Sequence, residues 1–121
     1  MKEIIAIFVG GGSGSLLRYF FGKWIVPFST PFPFSTFLSN LVACVIFGVV
    51  TGLAYQKIEM NETYKRLVLT GFCGGLSTFS TFNFEMFHLI KSGNIAMALL
   101  YLVLSIVVCF IGFWGAMEVC K

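Results

Sequence analysis

Gly71-Phe72-Cys73-Gly74-Gly75-Leu76-Ser77-Thr78-Phe79-Ser80-Thr81-Phe82-Asn83-Phe84-Glu85 places glycines and six polar residues inside a stretch, residues 67–90, that is otherwise long and apolar enough to cross a bilayer. The Gly74-Gly75 pair predicts a break in that helix. Backbone carbonyls freed by a break are tolerated at membrane depth only where protein or a cavity covers them, and broken helices in transporters use such carbonyls to coordinate cations. A small cation is therefore expected at the break. Beyond it, Phe79 and Phe82 share a helix face, with the hydroxyls of Ser80 and Thr81 beside them. A phenyl ring is positive at its edge, so rings turned edge-on to a path can stabilise an anion without a full charge. Conduction needs binding strong enough to enter and weak enough to leave, which suits hydroxyls, amides and ring edges. With fifteen phenylalanines in the chain, simple helix packing accounts for the same spacing more readily.

The rest of the chain fits a membrane setting. Of its 121 residues 58% are hydrophobic and 11% charged, well short of the charged quarter that covers a soluble domain. At roughly 20 apolar residues per crossing, the length predicts one domain, residues 1–121, of four transmembrane helices with short connections. The first covers residues 4–26 and is followed by a turn marked by Pro27, Pro31 and Pro33; the second covers 34–55. A polar segment, 56–66, precedes the third, and Lys91-Ser92-Gly93-Asn94 separates it from the fourth, 95–117. Trp24, Tyr55, Tyr64 and Trp114 fall near the span ends, where amphipathic rings favour the headgroup region. No small-residue cleavage site follows the first apolar run, so the first span is expected to stay.

Each span carries two small residues four apart: Gly10 and Gly14, Gly48 and Gly52, Gly71 and Gly75, Gly112 and Ala116. Small residues at that interval let helix backbones approach closely, which matters where lipid removes the hydrophobic drive for association. With four crossings, Lys2, Lys57, Lys65, Arg66 and Lys121 lie on one side and Arg18, Lys23 and Lys91 on the other. Five against three is a weak bias under the positive-inside rule. Insertion in both orientations, and hence an antiparallel homodimer, is the expectation.

Several chemistries drop out. Gly10-Gly11-Gly12-Ser13-Gly14 follows no strand and lacks the lysine of a phosphate-binding loop. His88 is the only histidine, and no nucleophilic triad or carboxylate pair can be assembled, so the chain is not read as an enzyme. Cys44, Cys73, Cys109 and Cys120 lack metal-site spacing and read as small membrane hydrophobes. No basic run points to nucleic acid. Three further polar residues in the spans keep more than one reading each. Asn40 donates to an anion or bonds a neighbouring helix; Arg18 snorkels or gives a vestibule positive potential; Glu85 is proton-coupled, a salt-bridge partner or interfacial.

Three stretches resemble the Fluc/CrcB fluoride channel family over nearly the whole chain. Residues 11–19, ending in Arg18-Tyr19, resemble its glycine-rich first-helix motif, and Thr36-Phe37-Leu38-Ser39-Asn40 its second-helix motif. Residues 74–82 read GGLSTFSTF against the family pattern GGxTTFSTF. The resemblance implies a dual-topology antiparallel homodimer in the bacterial inner membrane, with two fluoride pathways and a central structural sodium ion. By position, sodium would be held by the backbone carbonyls of Gly74 and Ser77, and fluoride would meet Phe79, Phe82, Asn40, Ser80 and Thr81, with Arg18 in the vestibule. Ser77 stands for a Thr, Asn83 for a Ser, Ser39 for an apolar residue and Ala43 for a Gly, none of which removes a proposed ligand. The fourth helix aligns poorly, leaving Tyr101 and Ser105 as polar contacts without a role. The rival readings are a proton-coupled transporter of the small multidrug type, which needs an embedded acid where this first helix has only Glu3, and an accessory subunit without transport.

Overall fold

The computed structural model describes residues 1–25 and 30–121, so the expected end of the first span at Val26 and the turn proline Pro27 lie outside the described residues. Helix α1 covers Lys2–Ile25, α2 Phe34–Tyr55, α5 Phe79–Lys91 and α6 Ile95–Val119. Between α2 and α5 the chain forms a short α3 (Glu62–Lys65), wider π-helical turns over Arg66–Cys73, and α4 (Gly74–Leu76). These three run on continuously, so 62–76 and α5 are the two halves of the third span. Three unbroken helices, α1, α2 and α6, are each long and apolar enough to cross a membrane. By contrast α5, at 13 residues, reaches only about 20 Å at 1.5 Å per residue, short of a hydrocarbon core of about 30 Å. The third crossing needs both halves.

Local chemistry explains the ends of these elements. The Asn61 side chain accepts the Thr63 N–H at 2.8 Å and caps α3, while Lys65 pairs with Glu62 at 2.8 Å. After α5, Gly93 adopts a φ of 81°, left-handed backbone that glycine takes at little cost, and the Asn94 N–H returns to Leu89 O at 2.9 Å. The chain turns there directly into α6.

The break in the third span is present, but not at the glycines. Gly74 is helical, with φ −64° and ψ −36°; the backbone leaves the helix at Ser77 (ψ 151°) and Thr78 (φ −152°, ψ 118°). The glycines serve contact instead. A Cβ on Gly75 would collide with the Gly11 carbonyl, one on Gly14 with the Phe72 carbonyl, and one on Gly10 with the Leu67 carbonyl. The α1 backbone therefore lies directly against the third span, and the two run parallel. On the other side of the molecule, α2 packs along α6 in the same manner, with Gly48 against the Phe113 carbonyl and Gly52 against that of Met117. Three of the expected small-residue pairs thus lie at backbone contacts; at the fourth, Gly112 faces the side chains of Leu41 and Val45.

Two clusters fill the space between these helix pairs. Ala43, Cys73 and Leu76 are buried together, with Leu17, Phe21 and Val68 packed around them. The methyl of Ala43 is therefore part of the core. Phe82, Leu89, Ala98 and Tyr101 form the second cluster, below the break. The charges sort to the expected ends: Arg66 reaches Glu3 at 3.8 Å, Lys121 lies over the Tyr55 ring, and Lys23 and Lys91 sit at the opposite ends of their helices. Trp24, Tyr55, Tyr64 and Trp114 are all exposed.

Gly14→Ala should cost about 1–3 kcal/mol through overpacking against backbone that cannot yield, whereas Gly12→Ala, whose Cβ meets nothing within 4 Å, should leave the chain unaffected. Thermal unfolding in detergent, followed by loss of the monodisperse chromatographic peak, compares the two.

Candidate functional site

A helix that stops inside a membrane leaves backbone groups without partners, and here one side chain takes up the most exposed of them. In a continuous helix the Thr78 N–H would bond Gly74 O; instead it donates to Asn40 Oδ1 at 2.7 Å. The same amide returns a bond, Asn40 Nδ2 donating to Thr78 O at 3.3 Å. Asn40 is thus clamped to both backbone groups of the broken residue. Its second N–H stays outside this pair.

Thr78 then starts the second half-helix. Its Oγ1 accepts the Thr81 N–H at 3.2 Å, the bond a continuous helix would have given to Ser77 O, and lies 3.1 Å from Thr81 Oγ1 and 3.3 Å from Ser80 Oγ. The three hydroxyls form one small network at the N-terminus of α5, where the helix dipole is positive. Upstream, the Gly74 and Ser77 carbonyls have lost these α-helical donors, and the Gly75 carbonyl accepts Ser15 Oγ at 3.4 Å. The Ser77 hydroxyl turns back to Cys73 O at 2.8 Å, so its side chain does not compete for its own carbonyl. Among the described residues no three His, Cys, Asp or Glu side chains gather as metal ligands. Neutral, hard carbonyl oxygens at the negative end of a helix suit a monovalent cation, and one chain offers two of them.

The break opens onto a cavity of ≈ 260 Å³ lined by Asn40, Cys44, Ser77, Thr78, Phe79, Phe82, Ser105, Ile106 and Cys109. Phe79 and Phe82 stack within it, centroids 5.8 Å apart and planes 20° apart, so their edges run side by side. Their surroundings differ sharply. Phe82 is 7% exposed and packs on Tyr101, whereas Phe79 is 77% exposed on the surface of the single chain. Ser80 is exposed and Thr81 half-buried. Arg18 lies elsewhere, half-buried on α1 and, among the described residues, in no ion pair.

The fourth helix supplies what the alignment left open. Ser105 lines the cavity beside Asn40 and the two rings, and its Oγ is buried with no hydrogen-bond partner among the described residues. One turn earlier, Tyr101 OH donates to Glu85 Oε2 at 2.8 Å, and Thr36 Oγ1 donates to Glu85 Oε1 at 2.7 Å. Glu85 is therefore held between two neutral hydroxyls of other helices and, among the described residues, in no salt bridge. The role of Thr78 as cap was missed in the sequence, although a Thr placed just before an apolar run is the usual signature.

Substituting Asn40 by Leu removes a partner from both Thr78 groups at once. Leaving them bare should destabilise the chain by about 2–5 kcal/mol, measurable as a lower midpoint of thermal unfolding in detergent.

The family described as "CrcB-like protein, Camphor Resistance (CrcB)" matches residues 5–117. Among curated relatives, a protein of Maridesulfovibrio salexigens is 44% identical over 101 residues, covering 83% of this chain and 80% of its own length. One of Pyrococcus abyssi is 38% identical over 117 residues, covering 93% and 94%. One of Azobacteroides pseudotrichonymphae is 38% identical over 108 residues, covering 88% and 86%. All three relatives carry the name "Fluoride-specific ion channel FluC".

Proposed function

The chain belongs to the CrcB-like family, and from that premise we propose that it is a fluoride channel, not an enzyme, which passes the ion down its gradient between two oppositely inserted copies. The observation that carries this reading is the cavity at the break: neutral donors and stacked ring edges at membrane depth, and no full charge among the residues that line it. Such a set can replace part of a small anion's hydration without trapping it. Fluoride would trade water for the free N–H of Asn40, the hydroxyls of Ser80, Thr81 and Ser105, and the edges of Phe79 and Phe82. The positive end of α5 adds to the attraction. Arg18 would raise the local anion concentration in the vestibule.

A second copy is needed because the cavity opens on the surface of the chain. Lipid cannot satisfy polar lining groups, whereas a partner can cover them. The exposed Phe79 ring would then become buried between subunits. An antiparallel arrangement accords with the weak charge bias, and twofold symmetry would give two equivalent pathways. The same symmetry would bring the Gly74 and Ser77 carbonyls of both copies to one axis, where a sodium ion would find enough oxygens for its coordination. When bound, the ion would supply fixed positive charge that ties the two breaks together. We place the protein in the plasma membrane, the inner membrane of a bacterium.

The proton-coupled alternative is disfavoured by Glu85, the one carboxylate of α5, which both hydroxyl partners hold in place. Purified protein in sealed vesicles should release fluoride when its counter-charge is shunted and retain chloride. Equal release of both ions, or of neither, would contradict the proposal. Phe79→Ile and Phe82→Ile should each lower fluoride efflux by about tenfold or more, a loss of at least 1.4 kcal/mol in the barrier, while the dimer stays intact by chromatography. A reporter fused at the C-terminus should be found on both faces of the membrane.

A further inference from the structure

Helices α2 and α6 run parallel, and their facing residues keep one constant offset along the whole contact. Thr36 and Tyr101 meet on Glu85; Asn40 and Ser105 share the cavity wall; Gly48 lies on Phe113, and Gly52 on Met117. The same offset puts Cys44 opposite Cys109. Both line the cavity, and both are reduced and half-buried. Their opposition across a helix contact kept narrow by glycines makes them a pair of converging soft ligands.

We propose that Cys44 and Cys109 form a two-thiol site for a soft monovalent d10 cation, Cu(I) or Ag(I), in the wall of the cavity beside Phe79 and Ser105. Thiolate ligands select such ions over hard cations, and two opposed sulfurs suit the linear coordination that they accept. Binding breaks both S–H bonds, forms two S–metal bonds and sends two protons to water, with no change in oxidation state. The product carries one net negative charge. Resting on the fluoride reading for this last step, that charge would stand where an anion must pass and would repel it. Cys73 does not belong to the site: it is buried with Ala43 and Leu76, and the cavity that it lines with Cys44 contains neither Cys109 nor Ser105.

Silver nitrate, added to the purified full-length protein in chloride-free detergent buffer, tests the site without reference to transport. One Ag(I) per chain should bind, with release of protons. Cys44→Ser and Cys109→Ser should each weaken binding by about 100-fold or more, since a two-coordinate ion loses half of its ligands. Cys73→Ala and Cys120→Ala should bind as the unaltered protein does. Retained binding in both the Cys44 and Cys109 variants, or equal loss in Cys73→Ala, overturns the assignment. Variants are compared only where they elute as the unaltered protein does, and Cys44→Ala and Cys109→Ala provide a second pair. In vesicles, silver should stop fluoride efflux, and excess dithiothreitol should restore it. Fluoride release before silver is added reports on the channel reading separately, so the two claims fail independently.

Discussion

A backbone N–H or carbonyl left bare in hydrocarbon costs several kcal/mol, and this chain interrupts a helix at membrane depth. The pairing of the Asn40 amide with both backbone groups of Thr78 is what makes that interruption tolerable. Without it the third span would gain by closing into a continuous helix, and Gly74 and Ser77 would recover their usual partners. Everything that distinguishes the molecule from a plain four-helix bundle follows from the open break. It directs freed carbonyls one way and the positive N-terminus of α5 the other, so cation-favouring and anion-favouring ends stand beside one another. Phe79, Phe82 and the hydroxyl network of Thr78, Ser80 and Thr81 are presented on the second half-helix only because it begins where it does.

The spans were legible because composition and length leave few alternatives: apolar stretches of about 20 residues between polar segments fix four crossings to within a few residues. The small-residue pairs were legible for the same kind of reason, since a missing Cβ has one main use in a membrane helix contact. The site of the break was not. Gly74-Gly75 attracts attention as a weak point in the helix, yet these glycines are helical, and Gly75 is used to admit the α1 backbone. What stops the helix is a cap at Thr78 and an amide on another helix, and no periodicity links residue 78 to residue 40. The π-helical turns of Arg66–Cys73 left no mark in the sequence pattern. Nor did the place of Ser105 and Tyr101, which depends on the register of α2 against α6.

That register organises the site. A single parallel contact, held narrow by Gly48 and Gly52 at one end, carries in succession Cys44 with Cys109, Asn40 with Ser105, and Thr36 with Tyr101. Polar pairs occupy the end next to the break, and backbone contact occupies the other. Glu85 closes the polar end, so the acid is a tie between three helices rather than a free group. The exposed ring of Phe79 and the open cavity beside it remain the features that a single copy leaves unfinished.

The state of the backbone at Ser77 and Thr78 in a lipid bilayer is the most direct measure of whether the break, and the amide that holds it, exist as described. Solid-state NMR on protein labelled at these residues and at the Asn40 side chain reports both quantities. Extended-backbone carbon shifts at Ser77 and Thr78, together with a through-space correlation between the Asn40 amide nitrogen and the Thr78 carbonyl, are the predicted result. Helical shifts running unbroken from Gly74 to Thr81, with no such correlation, would contradict it.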